Sequence, residues 1–202
     1  MLQRLSTLLV QFLLAEKVIK AEDEDIYAYG MEMLLSHLLV YGLTAFLAIT
    51  FHWLGATVVY YGAFLLIRHT AGGYHAPTHR QCALLTMMTY CISMAISQHF
   101  PRNELAWTAL IMIAFSLVGI YGFAPVDHEN KPFSPNERKK YRWQSISAAN
   151  LLGMVSLALI AIGVKEMLII ALILGMFNAS MSVMIGSEVR RRNAQKIDNS
   201  IG

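Results

Sequence analysis

Cys82 and His75, a thiol and an imidazole seven positions apart, are the residues of this sequence whose types and spacing best suit chemistry. They stand in a polar segment between apolar runs, Arg68-His69-Thr70-Ala71-Gly72-Gly73-Tyr74-His75-Ala76-Pro77-Thr78-His79-Arg80-Gln81-Cys82. Cysteine attacks as the thiolate, a form favoured by a neighbouring imidazole or a helix N-terminus. Histidine can then protonate the leaving amine, so the pair defines acyl transfer without a visible third member. In one uninterrupted helix the two would lie about 10 Å apart along the axis, too far for direct proton transfer. The turn must therefore fold His75 back toward Cys82. Gly72 and Gly73 permit positive φ or close backbone approach, and Pro77 suits the first turn of a following helix, so such a fold is feasible.

The same segment admits other readings. His69, His75, His79 and Cys82 are metal-ligand types, with His75 and His79 one helical turn apart, but Pro77 between them weakens that geometry. No metal or cofactor is assigned, and His79 reads as a solvated loop residue. A lone cysteine is also an ordinary small packing residue, and this is the reading for Cys91, roughly opposite Cys82 around a helix. About 13 Å of helical rise would separate the two thiols, so both are expected to be free.

The elements that must position this segment follow from composition. Of 202 residues 56% are hydrophobic and 14% charged, against about 25% charged in a soluble domain. Lipid is therefore part of the solvent, and one all-α, polytopic membrane domain is expected over 1–202. Six apolar runs are candidate spans: 31–51, 54–67, 82–97, 105–123, 146–164 and 167–185. The second and third are short against the roughly 20 residues a bilayer needs. Residues 1–20 read as an amphipathic interfacial helix, with Leu2, Leu5, Leu8, Leu9, Phe12 and Leu13 at helical spacing; an ordinary packing helix is the alternative. Glu16 and Lys17 stand where a signal peptide would have small residues.

With six spans, one side collects Arg4, Lys17, Lys20, Arg68, Arg80, Lys131, Arg138, Lys139, Lys140, Arg142, Arg190, Arg191, Arg192 and Lys196, and the other only Arg102 and Lys165. The positive-inside rule makes the first side cytoplasmic, both termini included. The net charge of +3 is small, and nothing points to nucleic acid. His37, Asn150 and Asn178 lie within spans and read as helix-to-helix hydrogen-bonding partners. A transporter or non-catalytic scaffold is the alternative class, but the spans contain almost no acidic pair to line an ion path.

The segment 68–82, with its arginine, its Gly72-Gly73-Tyr74-His75-Ala76 run and its cysteine seven residues after the histidine, resembles the accessory gene regulator B (AgrB) family of quorum-sensing membrane peptidases. Ala124-Pro125-Val126-Asp127-His128-Glu129-Asn130-Lys131-Pro132 is similar to that family's proline-rich, basic cytoplasmic loop, here expected over 124–145. The resemblance implies that Cys82 is the nucleophile and His75 the general base of a cysteine endopeptidase, with Arg68 and Gly73 needed for activity and Gly72 in support. It implies a bacterial cell membrane and, as substrate, a short AgrD-like precursor signal peptide. The tail would be cut off, the rest held as a thioester on Cys82, and the ring closed to a thiolactone or lactone by a side chain of the peptide. An attached nucleophile has a high effective molarity, and an interfacial site limits competing water, so that second step is physically reasonable.

Residues outside the motif have weaker assignments. Asp127 and His128 are candidates for orienting His75, because their loop shares its side of the membrane. Lys131, Lys139 and Lys140 are candidates for drawing in an acidic peptide tail, against the simpler role of fixing topology and touching anionic lipid. Assembly into a homodimer is left open.

Overall fold

The computed structural model describes residues 2–74, 76, 78–127 and 133–201. Among these every regular element is a helix: α1 (Leu2–Ala15), α2 (Glu24–Thr50), α3 (Leu54–Ala71), α4 (His79–His99), α5 (Leu105–Phe123), α6 (Pro135–Ala161) and α7 (Glu166–Ile201), with 3-10 turns at Ala21–Asp23 and Arg102–Glu104. The all-α expectation therefore holds, and each of the six apolar runs lies within a helix or ends just beyond it. Four stretches are long and apolar enough to cross a membrane: Ala21–Thr50, Arg102–Phe123, Pro135–Ala161 and Glu166–Lys196. The expected count of six is thus supported for four. α3 ends in Arg68 and His69, and α4 opens on His79, Arg80 and Gln81, so part of each helix is polar.

Three boundaries differ from the expectation, each for a local reason. α2 starts at Glu24 rather than near 31, because Glu24 and Asp25 suit the first turn, where carboxylates face the positive end of the helix dipole. α6 starts at Pro135 rather than near 146. Ser134 caps it, accepting a hydrogen bond from the Glu137 N–H while the Glu137 carboxylate accepts from Ser134 N–H, and Pro135 occupies the first turn. Arg138, Lys139, Lys140 and Arg142 therefore ride on a helix, and the loop expected over 124–145 ends before 135. α7 runs on past 185 to Ile201, carrying Arg190, Arg191 and Arg192.

The chain divides into two compact units, Met1–His52 with Ala76–Met88 and Trp53–His75 with Thr89–Gly202. In the first, α1 packs on α2. Ser6 and Val10 of α1 are buried while Leu5, Leu8 and Phe12 are exposed. α2 buries Ser36, Val40, Thr44 and Ala48, a stripe at four-residue spacing, and Thr44 Oγ1 lies 3.5 Å from Met87 Sδ.

The second unit is built around α7, packed by α3, α5 and α6. Of its most apolar stretch 61% is buried, against 22% in α2, so α7 is the central helix of its unit. Small residues set the approach: a Cβ on Gly175 would overlap the Tyr60 carbonyl of α3, and one on Gly119 would overlap Ser180 Oγ of α7. Close backbone contact through Gly and Ser is how apolar helices gain packing where lipid removes the hydrophobic incentive. Polar groups are paired across helices. Asn178 Nδ2 donates to Tyr60 Oη (3.0 Å) and Ser93 Oγ (2.9 Å), Asn150 Nδ2 to Tyr121 Oη (2.8 Å) and Ser180 Oγ to the Ser116 carbonyl (3.0 Å). Asn150 and Asn178 thus bridge helices as expected. His37 instead is exposed and stacks on Tyr41 of its own helix.

Candidate active site

Arg68 lies in the last turn of α3, not in a loop, because the helix continues to Ala71 before Gly72 ends it at φ 70°. A positive φ of this kind is one that glycine adopts without steric cost. Arg68 turns back over the chain that follows: Nη1 donates to the Gly72 carbonyl (3.1 Å) and Ser182 Oγ (2.8 Å), and Nη2 to the Tyr74 carbonyl (2.5 Å). One guanidinium therefore joins α3, the segment 72–74 and α7. Its planar fork of donors suits this task, which a lysine ammonium on a flexible stem does not reproduce.

The segment is held from two other directions. Tyr74 N–H donates to the Ser182 carbonyl (2.8 Å) and to Ser182 Oγ (3.1 Å). On the opposite edge Gly72 forms an isolated parallel bridge with Val126, whose N–H donates to the Ala71 carbonyl at 2.9 Å. These contacts leave no space for side chains at the two glycines. A Cβ on Gly72 would overlap the Val126 carbonyl oxygen, and one on Gly73, at φ 136°, would overlap Arg68 Nη1 and come within 2.9 Å of Ser182 Oγ. Gly186, one turn along α7 from Ser182, is needed for the same reason, since its Cβ would meet Tyr74 N at 2.6 Å. Both properties expected of Gly72-Gly73, positive φ and close approach, are present together.

Val126 leads to Asp127, which is buried. Its Oδ1 pairs with Arg190 of α7 and with Arg138 Nη2 of α6 (3.3 Å), and its Oδ2 accepts from Phe133 N–H (3.2 Å). Arg190 also donates to the Asp127 carbonyl (2.7 Å). A buried carboxylate persists as an ion only when paired and hydrogen-bonded in this way. Arg142 donates to the carbonyls of Tyr121 (3.0 Å) and Ala124 (3.1 Å), closing the C-terminal end of α5. These groups line a cavity of about 260 Å³ that includes Pro125, Asp127, Arg138, Arg142 and Arg190. Its arginines are engaged with protein oxygens, so their first role is to fix the segment after α5.

Cys82 belongs to the other compact unit and lies in the first turns of α4, as expected. Thr78 precedes the helix and caps it, its Oγ1 accepting from Gln81 N–H at 3.3 Å. Cys82 N–H donates to the Thr78 carbonyl (3.1 Å), and its own carbonyl accepts from Thr86 Oγ1 (2.8 Å). The thiol is free and partly accessible, at the end of a helix that favours anions. Cys91 is likewise a free, partly accessible thiol of α4.

Of the residues named from the sequence, Arg68, Gly72 and Gly73 are brought together, and Asp127 joins them through Val126. Lys139 and Lys140 are exposed on the first turns of α6. His75, Pro77, His128 and Lys131 lie outside the described residues. Sequence reasoning missed Ser182, Gly186 and Arg190. Their four-residue spacing on α7 is visible in the sequence, but which segments they meet is not.

Comparison with known proteins supplies the family. The chain is 30% identical over 122 residues to an AgrB-like protein of Listeria monocytogenes serotype 4a, and 29% over the same length to one of Listeria innocua. Each alignment covers 59% of this chain and 59% of the relative. An AgrB-like protein 2 of Clostridium perfringens is 23% identical over 145 residues, 69% of this chain and 68% of the relative. No solved structure matches. The description Accessory gene regulator B matches residues 6–185. A match over so much of the chain, on a scaffold with four helices long and apolar enough to cross a bilayer, shows that this membrane protein belongs to the AgrB family.

Proposed function

We propose that the protein is a membrane cysteine endopeptidase that trims a short precursor peptide and leaves it able to cyclise. The Cys82 thiolate attacks the carbonyl at the junction between the peptide's central segment and its tail. The carbon–nitrogen bond breaks, His75 gives a proton to the departing amine, and the remaining peptide stays as a thioester on Cys82. A thiol or hydroxyl within that peptide then attacks the thioester carbonyl, its proton passing to the His75 imidazole and on to the released Cys82 sulfur, and a thiolactone or lactone ring closes. The observation that supports this reading most is the capped first turn carrying Cys82, in a chain of this family whose preceding glycine pair is fixed in place by Arg68.

The charge pattern favours a multi-pass protein of the bacterial cell membrane with both termini in the cytoplasm and the Cys82 turn on that face. Co-expression with candidate short peptides, followed by mass measurement, tests the chemistry. The expected species is an adduct on Cys82 equal to the enzyme plus the peptide without its tail. Hydrolysed peptide alone under every condition would mean simple proteolysis, and no cleavage of any candidate would favour a non-catalytic role. Orientation is tested with single cysteines in a Cys-less background and an impermeant reagent on intact cells: positions 102 and 165 are expected to label and position 139 to stay protected.

A further inference from the structure

Ser182, Gly186 and Arg190 recur every four residues along α7, so they lie on one face of that helix. Each meets a different part of the polar segments that follow α3 and α5. Ser182 receives Arg68 Nη1 on its hydroxyl and Tyr74 N–H on both its hydroxyl and its carbonyl. Gly186 lies against Gly73 and the Tyr74 backbone so closely that a methyl group would not fit. Arg190 holds the side chain and carbonyl of Asp127. The two segments are themselves joined by the Gly72–Val126 bridge. The resulting frame reaches Tyr74, the residue before His75.

We infer that Ser182 and Gly186 are positioning residues of the reaction: they seat the Gly73–Tyr74 backbone and thereby set where the histidine that follows begins. This rests on the peptidase reading above. The reasoning is geometric. Tyr74 has one backbone N–H and one carbonyl, and both are committed, the first to Ser182 and the second to Arg68. Arg68 is in turn oriented by Ser182 Oγ. Removing that hydroxyl loosens both holds at once while leaving the Ser182 carbonyl in place. A general acid or base displaced by about 1 Å loses up to about a hundredfold in rate, and the loss falls on the chemical step rather than on peptide capture.

The test uses the full chain in detergent with a purified precursor peptide, measuring kcat and KM separately. Ser182→Ala is expected to lower kcat about tenfold, the equivalent of one hydrogen bond to a charged group, with KM unchanged within about twofold. Ser182→Thr, which keeps a hydroxyl, is expected to retain most of kcat. Ser156→Ala is the structural control, since its buried hydroxyl bonds the Leu152 carbonyl of its own helix, and kcat should be unaltered. Combining Ser182→Ala with Arg68→Lys should cost no more than Arg68→Lys alone, because both act through the same segment. Wild-type kcat in Ser182→Ala, a rise in KM alone, or an equal loss in Ser156→Ala would overturn the inference. Cys82→Ala in the same assay separates the two claims: if it still cleaves, the peptidase reading fails, whereas a dead Cys82→Ala beside a normal Ser182→Ala sinks only the role given to α7.

Discussion

Gly72, Gly73 and Tyr74 are held by Arg68 from α3, by Ser182 and Gly186 from α7 and by Val126 from the segment after α5. The turn at Cys82 is shaped instead by bonds local to its own helix, through Thr78 and Thr86. The first region depends on residues more than a hundred positions apart in sequence, such as the Arg68–Ser182 pair at a separation of 114. The second depends on neighbours three or four positions away. Two halves of one proposed chemistry are thus built differently. A nucleophile needs a helix end, which local capping supplies. The segment Gly72 to Tyr74 has no such helix end of its own, and residues of several helices fix its backbone instead.

The contrast can be broken at either half, and the largest effect is expected at the nucleophile. Cys82→Ala and His75→Ala should each abolish precursor cleavage while the protein still inserts, and Cys91→Ala should cleave normally. Substantial cleavage by Cys82→Ala, or an inactive Cys91→Ala, would reverse the assignment. Next comes the glycine segment. Gly73→Ala places a methyl group on Arg68 Nη1 and should reduce cleavage by about a hundredfold or more through displacement of the chain. Gly62→Ala, on α3 with open space around it, should leave the rate unchanged, and equal losses in the two would show that the Gly73 contact has no special role.

A smaller effect is expected at the cap. Thr78→Ala removes the bond to Gln81 N–H and should weaken the start of α4 by about 1 kcal/mol. In the cleavage assay this should read as a loss of no more than about fivefold. A loss as severe as that of Gly73→Ala would mean that the Cys82 turn is no more locally determined than the glycine segment. The smallest effect is expected at the exposed lysines of α6. Lys139→Gln with Lys140→Gln should raise the peptide concentration for half-maximal cleavage a few-fold, with little change at saturation, because screened charges act on capture. The defect should shrink when the acidic residues of the peptide tail are neutralised. Simple additivity of loop and tail changes would leave these lysines as topology signals.

How far each feature was legible depends on the range of the interaction that makes it. The six apolar runs reappear within helices because hydropathy is a property of contiguous residues. α6 begins well before the apolar run at 146 because Ser134, Pro135 and Glu137 spell a capping box, and a helix start is encoded by its cap rather than by hydropathy. The four-helix result for bilayer-length apolar stretches reflects polar ends on α3 and α4, where Arg68, His69 and His79 to Gln81 extend helices past the apolar runs.

Composition and spacing alone determined that the chain is helical, suited to lipid and furnished with one free thiol beside a glycine-bearing polar turn. They also indicated that Gly72 and Gly73 serve a conformation other residues avoid, because a glycine pair has few other uses. Only the tertiary structure decided what that conformation is for. Whether Ser182 meets Tyr74, whether Asp127 is neutralised by Arg190 and Arg138, and whether a Cβ at position 73 would strike a guanidinium are outcomes of how α3, α5, α6 and α7 pack. Contacts between residues far apart in sequence arise from the joint burial of several helix faces, and no single segment carries the pattern that specifies them.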